Sequence, residues 1–211
     1  MMLVTLVVII MLLAIFAGNA AAETLNVIGF SQPPNYAACT DNDDIRQLTD
    51  GKLAAFPIWT KKEAVGWAAL TPIAIQLRLA DGSSVQSPQA GTLRLHSAKG
   101  LYAGVDVPRR VDVYTRDSSD KLRLVGSLMP DSAKLIDKNT HWLDVDISAA
   151  TDTLVLVLHA SGGYLFLDEV EWRPSGVGHM PANASIITNV PKALEDSTRR
   201  ANEALVNAGE A

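Results

Sequence analysis

The stretch "DTLVLVLHASGGYLFLDEVEW", residues 152–172, decides the fold. Its first half is apolar at odd and even positions alike, so a strand built from it has two apolar faces and belongs at the centre of a sheet. Ser161-Gly162-Gly163 is a turn signal, and "YLFLDEVEW" is a further strand. Working outward, the same period recurs. Ile73, Ile75, Leu77 and Leu79 alternate with Ala74, Gln76 and Arg78, and Leu93 and Leu95 alternate with Arg94 and His96. Val111 and Val113 flank Asp112, and Leu143, Val145 and Ile147 alternate with Asp144 and Asp146. Each pattern is that of a strand with one face buried. Asp81-Gly82, Lys99-Gly100 and Asp117-Ser118-Ser119-Asp120 supply turns between them. No amphipathic helical pattern interrupts the run from Leu25 to Arg173, which predicts an all-β domain, a sandwich or barrel of antiparallel sheets.

The two ends differ from this middle. Residues 1–17 are apolar apart from Thr5, and Ala20-Ala21-Ala22 with Glu23 behind it forms an A-x-A cleavage site. That is a secretory signal over residues 1–22, and it places the protein outside the cell or in a periplasm. The segment lacks the usual Lys or Arg ahead of its apolar run, so an uncleaved anchor is the competing reading. The run falls short of the roughly 20 residues of a spanning helix, which favours cleavage and leaves no membrane span in the mature chain. At the other end, residues 174–188 are rich in Pro, Gly and small residues and read as a linker. Residues 189–211 form a helical tail. Asn189 caps it, Pro191 sits in its first turn, Val190, Leu194, Ala201, Ala204 and Leu205 make a thin stripe, and Gly209 ends it. The tail is either a helix that packs weakly or frays or the start of something longer, such as a coiled coil or a second domain, through which a partner would be met. The sandwich itself occupies residues 23–173. Asn183-Ala184-Ser185 is a glycosylation sequon that matters only in a eukaryotic secretory pathway.

Charge and motifs narrow the function. The 211 residues carry a net charge of −5, which argues against a nucleic-acid partner. Cys39 is the single cysteine, so no internal disulfide forms. It is either a small buried apolar residue or half of an intermolecular bridge. There is no G-x-S-x-G, H-E-x-x-H, P-loop or G-x-G-x-x-G sequence, and His96, His141, His159 and His179 share no metal-ligand spacing. The chain is therefore read as a non-enzyme.

A family resemblance sharpens this. "QLTDGK", "VGW" before a strand, "TPIAIQLRL", "AGVDVPRRVDVYTRDSSDKLRLVGS" and the closing "LFLDEVEW" stand in one order across Leu25 to Arg173. Together they resemble the galactose-binding-like, discoidin-type jelly roll of the coagulation-factor C-type domains and of many carbohydrate-binding modules. The resemblance implies an antiparallel jelly-roll sandwich. It also implies a structural calcium held by the side chains of Asp50 and Glu169 and by backbone carbonyls near Leu48 and Lys52. Calcium takes about 6–8 hard oxygens in a tolerant geometry, which such a set suits. Leu53-Ala54-Ala55-Phe56 stand where the family often has Ser or Thr, and a plain Asp50-Gly51 turn is the alternative. Asp41-Asn42-Asp43-Asp44 fails the EF-hand pattern and reads as a solvated loop or helix cap.

Sugar-binding modules stack aromatic faces on pyranose C–H faces. The candidate aromatics are Trp59, Trp67, Tyr102, Trp142 and Tyr164. Trp67 and Trp59 are assigned to the core, Trp172 to packing, and Tyr102 and Tyr164 lie in loops. Arg94 and His96 alternate away from Leu93 and Leu95 and are expected to face solvent. The expected function is non-catalytic binding of a glycan or glycoconjugate at a cell or matrix surface, with Tyr102, Tyr164, His96 and Arg94 as ligand residues. The competing class is a structural or interaction domain without a sugar site, part of a larger surface assembly.

Overall fold

Among the described residues, alternating Leu and Val from nine strands lock two antiparallel sheets face to face. The computed structural model describes residues 25–79, 89–100, 104–116, 121–150 and 152–175. Tyr102, the signal segment, the turns at 81–82 and 117–120, the linker beyond Ser175 and the tail at 189–211 lie outside the described residues. The strands are β1 (Leu25–Phe30), β2 (Val65–Ala68), β3 (Ile73–Leu79), β4 (Gln89–Lys99), β5 (Arg110–Arg116), β6 (Leu122–Leu128), β7 (Asn139–Ala150), β8 (Thr153–His159) and β9 (Tyr164–Pro174). One short helix, α1 (Asp44–Gln47), stands in the long β1–β2 connection. The five-stranded sheet has the order β1-β3-β8-β5-β6 and the four-stranded sheet the order β2-β9-β4-β7.

β8 sits at the centre of its sheet, between β3 and β5. Ser161-Gly162-Gly163 carries the chain from one sheet to the other rather than closing a hairpin, since β9 pairs with β2 and β4. Gly162 permits that crossing, because a Cβ there would stand 2.2 Å from the Gly104 carbonyl oxygen.

The core between the sheets takes alternate residues from the strands, with a change of parity along β9. Ile75, Leu77, Leu93, Leu95, Val111, Val113, Val145, Leu154, Leu156, Leu158, Leu165 and Leu167 belong to it, and Trp67 and Trp172 are fully buried with them. Each such side chain contributes about 1.5–3 kcal/mol on burial. β6 and β7 close one edge of the sandwich: Ser148 Oγ donates to the Val125 carbonyl at 3.1 Å, and a Cβ on Gly126 would lie 2.6 Å from the Asp146 carbonyl oxygen.

Both sheets also bury residues on their outer faces. On the four-stranded sheet, the β1–β2 connection lays Cys39, Ala54, Ile58 and Ala64 over Phe166 and Ala98. On the five-stranded sheet, Ala74, Tyr114, Val155 and Val157 form a separate apolar cluster.

Candidate functional site on the four-stranded sheet

Strict alternation along "LFLDEVEW" would send Glu169 into the core. A bulge prevents this. Opposite β4, His96 faces Glu169 and Ser97 faces Leu167, so Asp168 is the extra residue. Leu167 and Val170 both reach the core, and Asp168 and Glu169 stand together on the outer side.

These two carboxylates hold the β1–β2 connection down. Asp168 is fully buried; its Oδ1 lies 2.6 Å from His96 Nδ1 and its Oδ2 accepts the Ala54 N–H at 2.8 Å. Glu169 Oε2 accepts the Gly51 N–H at 2.8 Å, across 118 positions of sequence. Gly51 has φ +76°, a conformation that favours glycine. The Val170 N–H donates to the Leu48 carbonyl at 2.7 Å. Asp50 shapes the turn locally: its Oδ1 accepts the Lys52 N–H at 2.9 Å and its Oδ2 lies 3.0 Å from Lys52 Nζ. Burial pushes the Glu169 carboxyl up to about 8, and the charges of Asp50, Glu171 and Asp168 push the same way, against the Gly51 N–H.

This seam divides the outer face of the sheet. On one side lies the covered half, with Tyr36, Trp59 and Tyr164 packed around Phe166. Tyr36 meets Tyr164 and Phe166 edge-on at 5.6 and 4.9 Å, and the exposed Phe56 meets Trp59 at 5.0 Å. Cys39 is buried here and its thiol is pushed up to about 11 by burial, which keeps it a small apolar residue.

On the other side lies an open half. Arg94 stands between Asp144 on β7 and Glu171 on β9, with Nε 2.8 Å from Asp144 Oδ1 and Nη1 3.2 Å from Glu171 Oε2. Its Cζ lies 4.3 Å from the centre of the Trp142 ring, a cation–π contact. The His96 ring lies 4.8 Å from Trp142, tilted by 42°. Arg173 Nη2 reaches the same Glu171 oxygen at 3.0 Å, and Thr92 Oγ1 donates to Asp146 at 3.2 Å. Trp142 is half-buried, while Asp144 and Asp146 are exposed.

Two of the four expected ligand residues, Arg94 and His96, are thus brought together, around Trp142. Tyr164 is not among them. It belongs to the covered half, seven positions along β9 from Glu171, or about 23 Å at the rise of a strand. The expectation that His96 faces solvent is corrected. His96 is 6% exposed, because the β1–β2 connection closes over Asp168 beside it. Arg94 points outward but keeps only 15% of its side chain exposed, since its carboxylate partners and Trp142 flank it. Asp168 went unnoticed in the sequence; its only signal there is the Asp-Glu pair inside an apolar alternation. Asp44, in the acidic run read as a solvated loop or cap, starts α1 and is buried.

No protein-family model and no curated protein matches the chain. Solved structures that it resembles include carbohydrate-binding modules of the galactose-binding-like fold. The C-terminal domain of a chitobiase from Bacteroides fragilis is 14% identical, with 74% of this chain and 96% of that one covered and a TM-score of 0.48. CBM32-3 of a family 31 glycoside hydrolase from Clostridium perfringens is 13% identical over 77% of this chain and 97% of that one, with a TM-score of 0.46. A fucose-binding module from Streptococcus pneumoniae is 16% identical over 74% and 97% of the two chains, with a TM-score of 0.42.

Proposed function

We propose that this protein is a secreted, non-catalytic carbohydrate-binding module of jelly-roll form, and that its glycan lies on the open half of the four-stranded sheet, across Trp142. The observation that carries the reading is the arrangement around that indole. A half-buried aromatic ring is flanked by a guanidinium held by two carboxylates and by an imidazole held by a third. A pyranose presents an apolar C–H face to such a ring and hydroxyls to the polar groups beside it. Because Arg94 is already fixed, little side-chain entropy is lost when a ligand arrives. The test is a glycan-array screen of residues 23–211 followed by calorimetry. Trp142→Ala is expected to weaken binding of a captured glycan about tenfold or more, a loss of about 1.4 kcal/mol. Equal binding by Trp142→Ala would move the site elsewhere. No captured glycan at all would favour the structural or interaction reading.

We also propose a structural calcium at the seam, held by the side chains of Asp50 and Glu169. The donor chemistry supports it. Glu169 is buried beside three other carboxylates, and an added cation would offset that repulsion. Among the described residues no three His, Cys, Asp or Glu side chains form a metal-binding group, so further oxygens have to come from backbone carbonyls such as that of Lys52. The Leu48 carbonyl, expected to join them, already accepts the Val170 N–H. Bound calcium would stabilise the fold by about 2.7 kcal/mol at 100 times its dissociation constant. Thermal unfolding with calcium and with chelator, in wild type and Asp50→Ala, checks this; identical wild-type midpoints would remove the ion.

A further inference from the structure

One ring nitrogen of His96 is spoken for and the other is not. Nδ1 lies 2.6 Å from Asp168 Oδ1, and the second Asp168 oxygen accepts the Ala54 N–H. A carboxylate only accepts, so Nδ1 carries a hydrogen and donates it. Asp168 thereby fixes both the orientation of the ring and the place of one proton. Nε2 has no hydrogen-bond partner among the described residues. It is not sealed off either. Among the described residues, the fully buried polar side-chain atoms without a partner are Thr40 Oγ1, Gln47 Oε1 and Trp172 Nε1. The sheet sets its direction. β4 lies between β9 and β7, and Asp168 draws Nδ1 toward β9. The opposite edge of the imidazole faces β7, where Trp142 is the cross-strand neighbour of His96 and its ring is 4.8 Å away. A largely buried ring thus opens one polar atom beside the indole.

The charges around that atom are already matched. Arg94 faces Asp144 and Glu171, Arg173 faces Glu171, and His96 faces Asp168. Asp146 adds an exposed carboxylate, touched by the Thr92 hydroxyl. An acidic sugar, a uronate or a sulfate ester, would find each of these cations paired and would lie against Asp144 and Asp146, a like-charge contact. A hydroxyl suits the place, since it donates to a carboxylate or a bare nitrogen and accepts from an N–H.

We propose that the open half selects a neutral sugar, one hydroxyl of which bonds to His96 Nε2, and that Asp168 is the positioning residue for that contact. This assignment rests on the glycan lying across Trp142, and it adds the charge class of the sugar and the atom that reads it. Stacking on the indole tolerates a missing hydroxyl. A fixed polar partner does not, because the sugar then covers a nitrogen that has lost its bond.

Three measurements on residues 23–211 test this. On the array, neutral oligosaccharides are expected to bind about tenfold or more tightly than matched uronate or sulfated ones. Capture of acidic glycans alone would overturn the neutral class. Methyl glycosides of the captured sugar, each lacking one hydroxyl, come next, and one of them is expected to bind about tenfold more weakly than its parent. His96→Asn offers an amide in place of Nδ1 and nothing at the Nε2 position, so it should bind parent and deoxy sugar alike. His96→Gln, whose amide reaches the Nε2 position, should restore part of the difference. A wild type that does not distinguish the deoxy sugars, with Trp142→Ala still weakening binding, would overturn the contact while leaving the site in place. In nitrogen NMR of the histidine rings, the His96 Nε2 signal is expected to shift as the glycan saturates while Nδ1 stays hydrogen-bearing. In Asp168→Asn the hydrogen leaves Nδ1 and the deoxy difference falls; if both persist, the positioning role of Asp168 is overturned. Equal binding by Trp142→Ala, or no captured glycan, would remove the site and this contact with it.

Discussion

The two outer faces of this sandwich are built on opposite terms. The four-stranded sheet is half covered by a connection that is fastened with polar atoms: Asp168 to Ala54 and His96, Glu169 to Gly51, and Val170 to Leu48. The half left open carries paired charges and one indole. The five-stranded sheet has an apolar outer face, and its buried charge, Asp112, sits with Arg110, Ser127 and His159 around it. Valines make a face that wants a cover of any matching shape. Arg94, His96 and Trp142 make a face whose groups are oriented before anything binds, which is what a selective ligand surface requires.

Removing the fastening should have the largest effect on this contrast. Asp168→Ala strands a buried imidazole nitrogen and the Ala54 N–H, and is expected to cost about 3–5 kcal/mol in urea unfolding. A loss below about 1 kcal/mol would mean that the apolar contacts alone hold the cover. Overfilling the covered half comes next. A Cβ on Gly66 would stand 2.5 Å from the Phe166 ring and 2.8 Å from Cys39 Sγ, so Gly66→Ala is expected to cost about 1–3 kcal/mol, with glycan binding on the open half kept.

Glu169 gives the seam a pH dependence. Its folded value of about 8 lies above the ordinary 4.5, so between those values the native state binds more protons than the unfolded chain. In chelator, the stability contributed by Glu169 is therefore expected to be fullest below about pH 4.5 and to fall as pH rises toward 8. Glu169→Gln should flatten that slope, and the proposed calcium should oppose it, because such an ion would bind the ionised carboxylate. A slope unchanged by Glu169→Gln would assign the titration to another group. The smallest effect belongs to Lys52. Its ammonium is exposed beside Asp50, and Lys52→Gln is expected to leave the thermal midpoint unchanged in chelator.

Much of this architecture was legible because alternation is a strong signal where one side of a strand meets a core. β3, β4, β5 and β7 follow it, and the doubly apolar β8 stands where its pattern puts it, in the middle of a sheet. Trp67 and Trp172 are in the core, as their flanking strands imply. The seam was not legible in detail. Period two cannot register a bulge, so nothing in "LDEVE" said that Asp168 and Glu169 would share a side. The β1–β2 connection has no period at all. Its choice of which half of the sheet to cover, and with it the burial of His96, comes from the single hydrogen bonds at Gly51 and Ala54. Tyr164 looked like a loop aromatic because two glycines precede it, but the strand begins at that residue and the connection closes against its ring.

The claim that ligand is read on the open half, away from the aromatic cluster of the covered half, is tested most directly by the indole N–H signals of the four tryptophans during titration with a glycan taken from the array. Trp67 and Trp172 are buried in the core and serve as references. The expected result is a shift of the Trp142 signal that saturates with binding while Trp59 stays in place. A saturating shift of Trp59 with Trp142 unmoved would put the site on the Phe56, Trp59 and Tyr164 side of the seam and contradict the assignment.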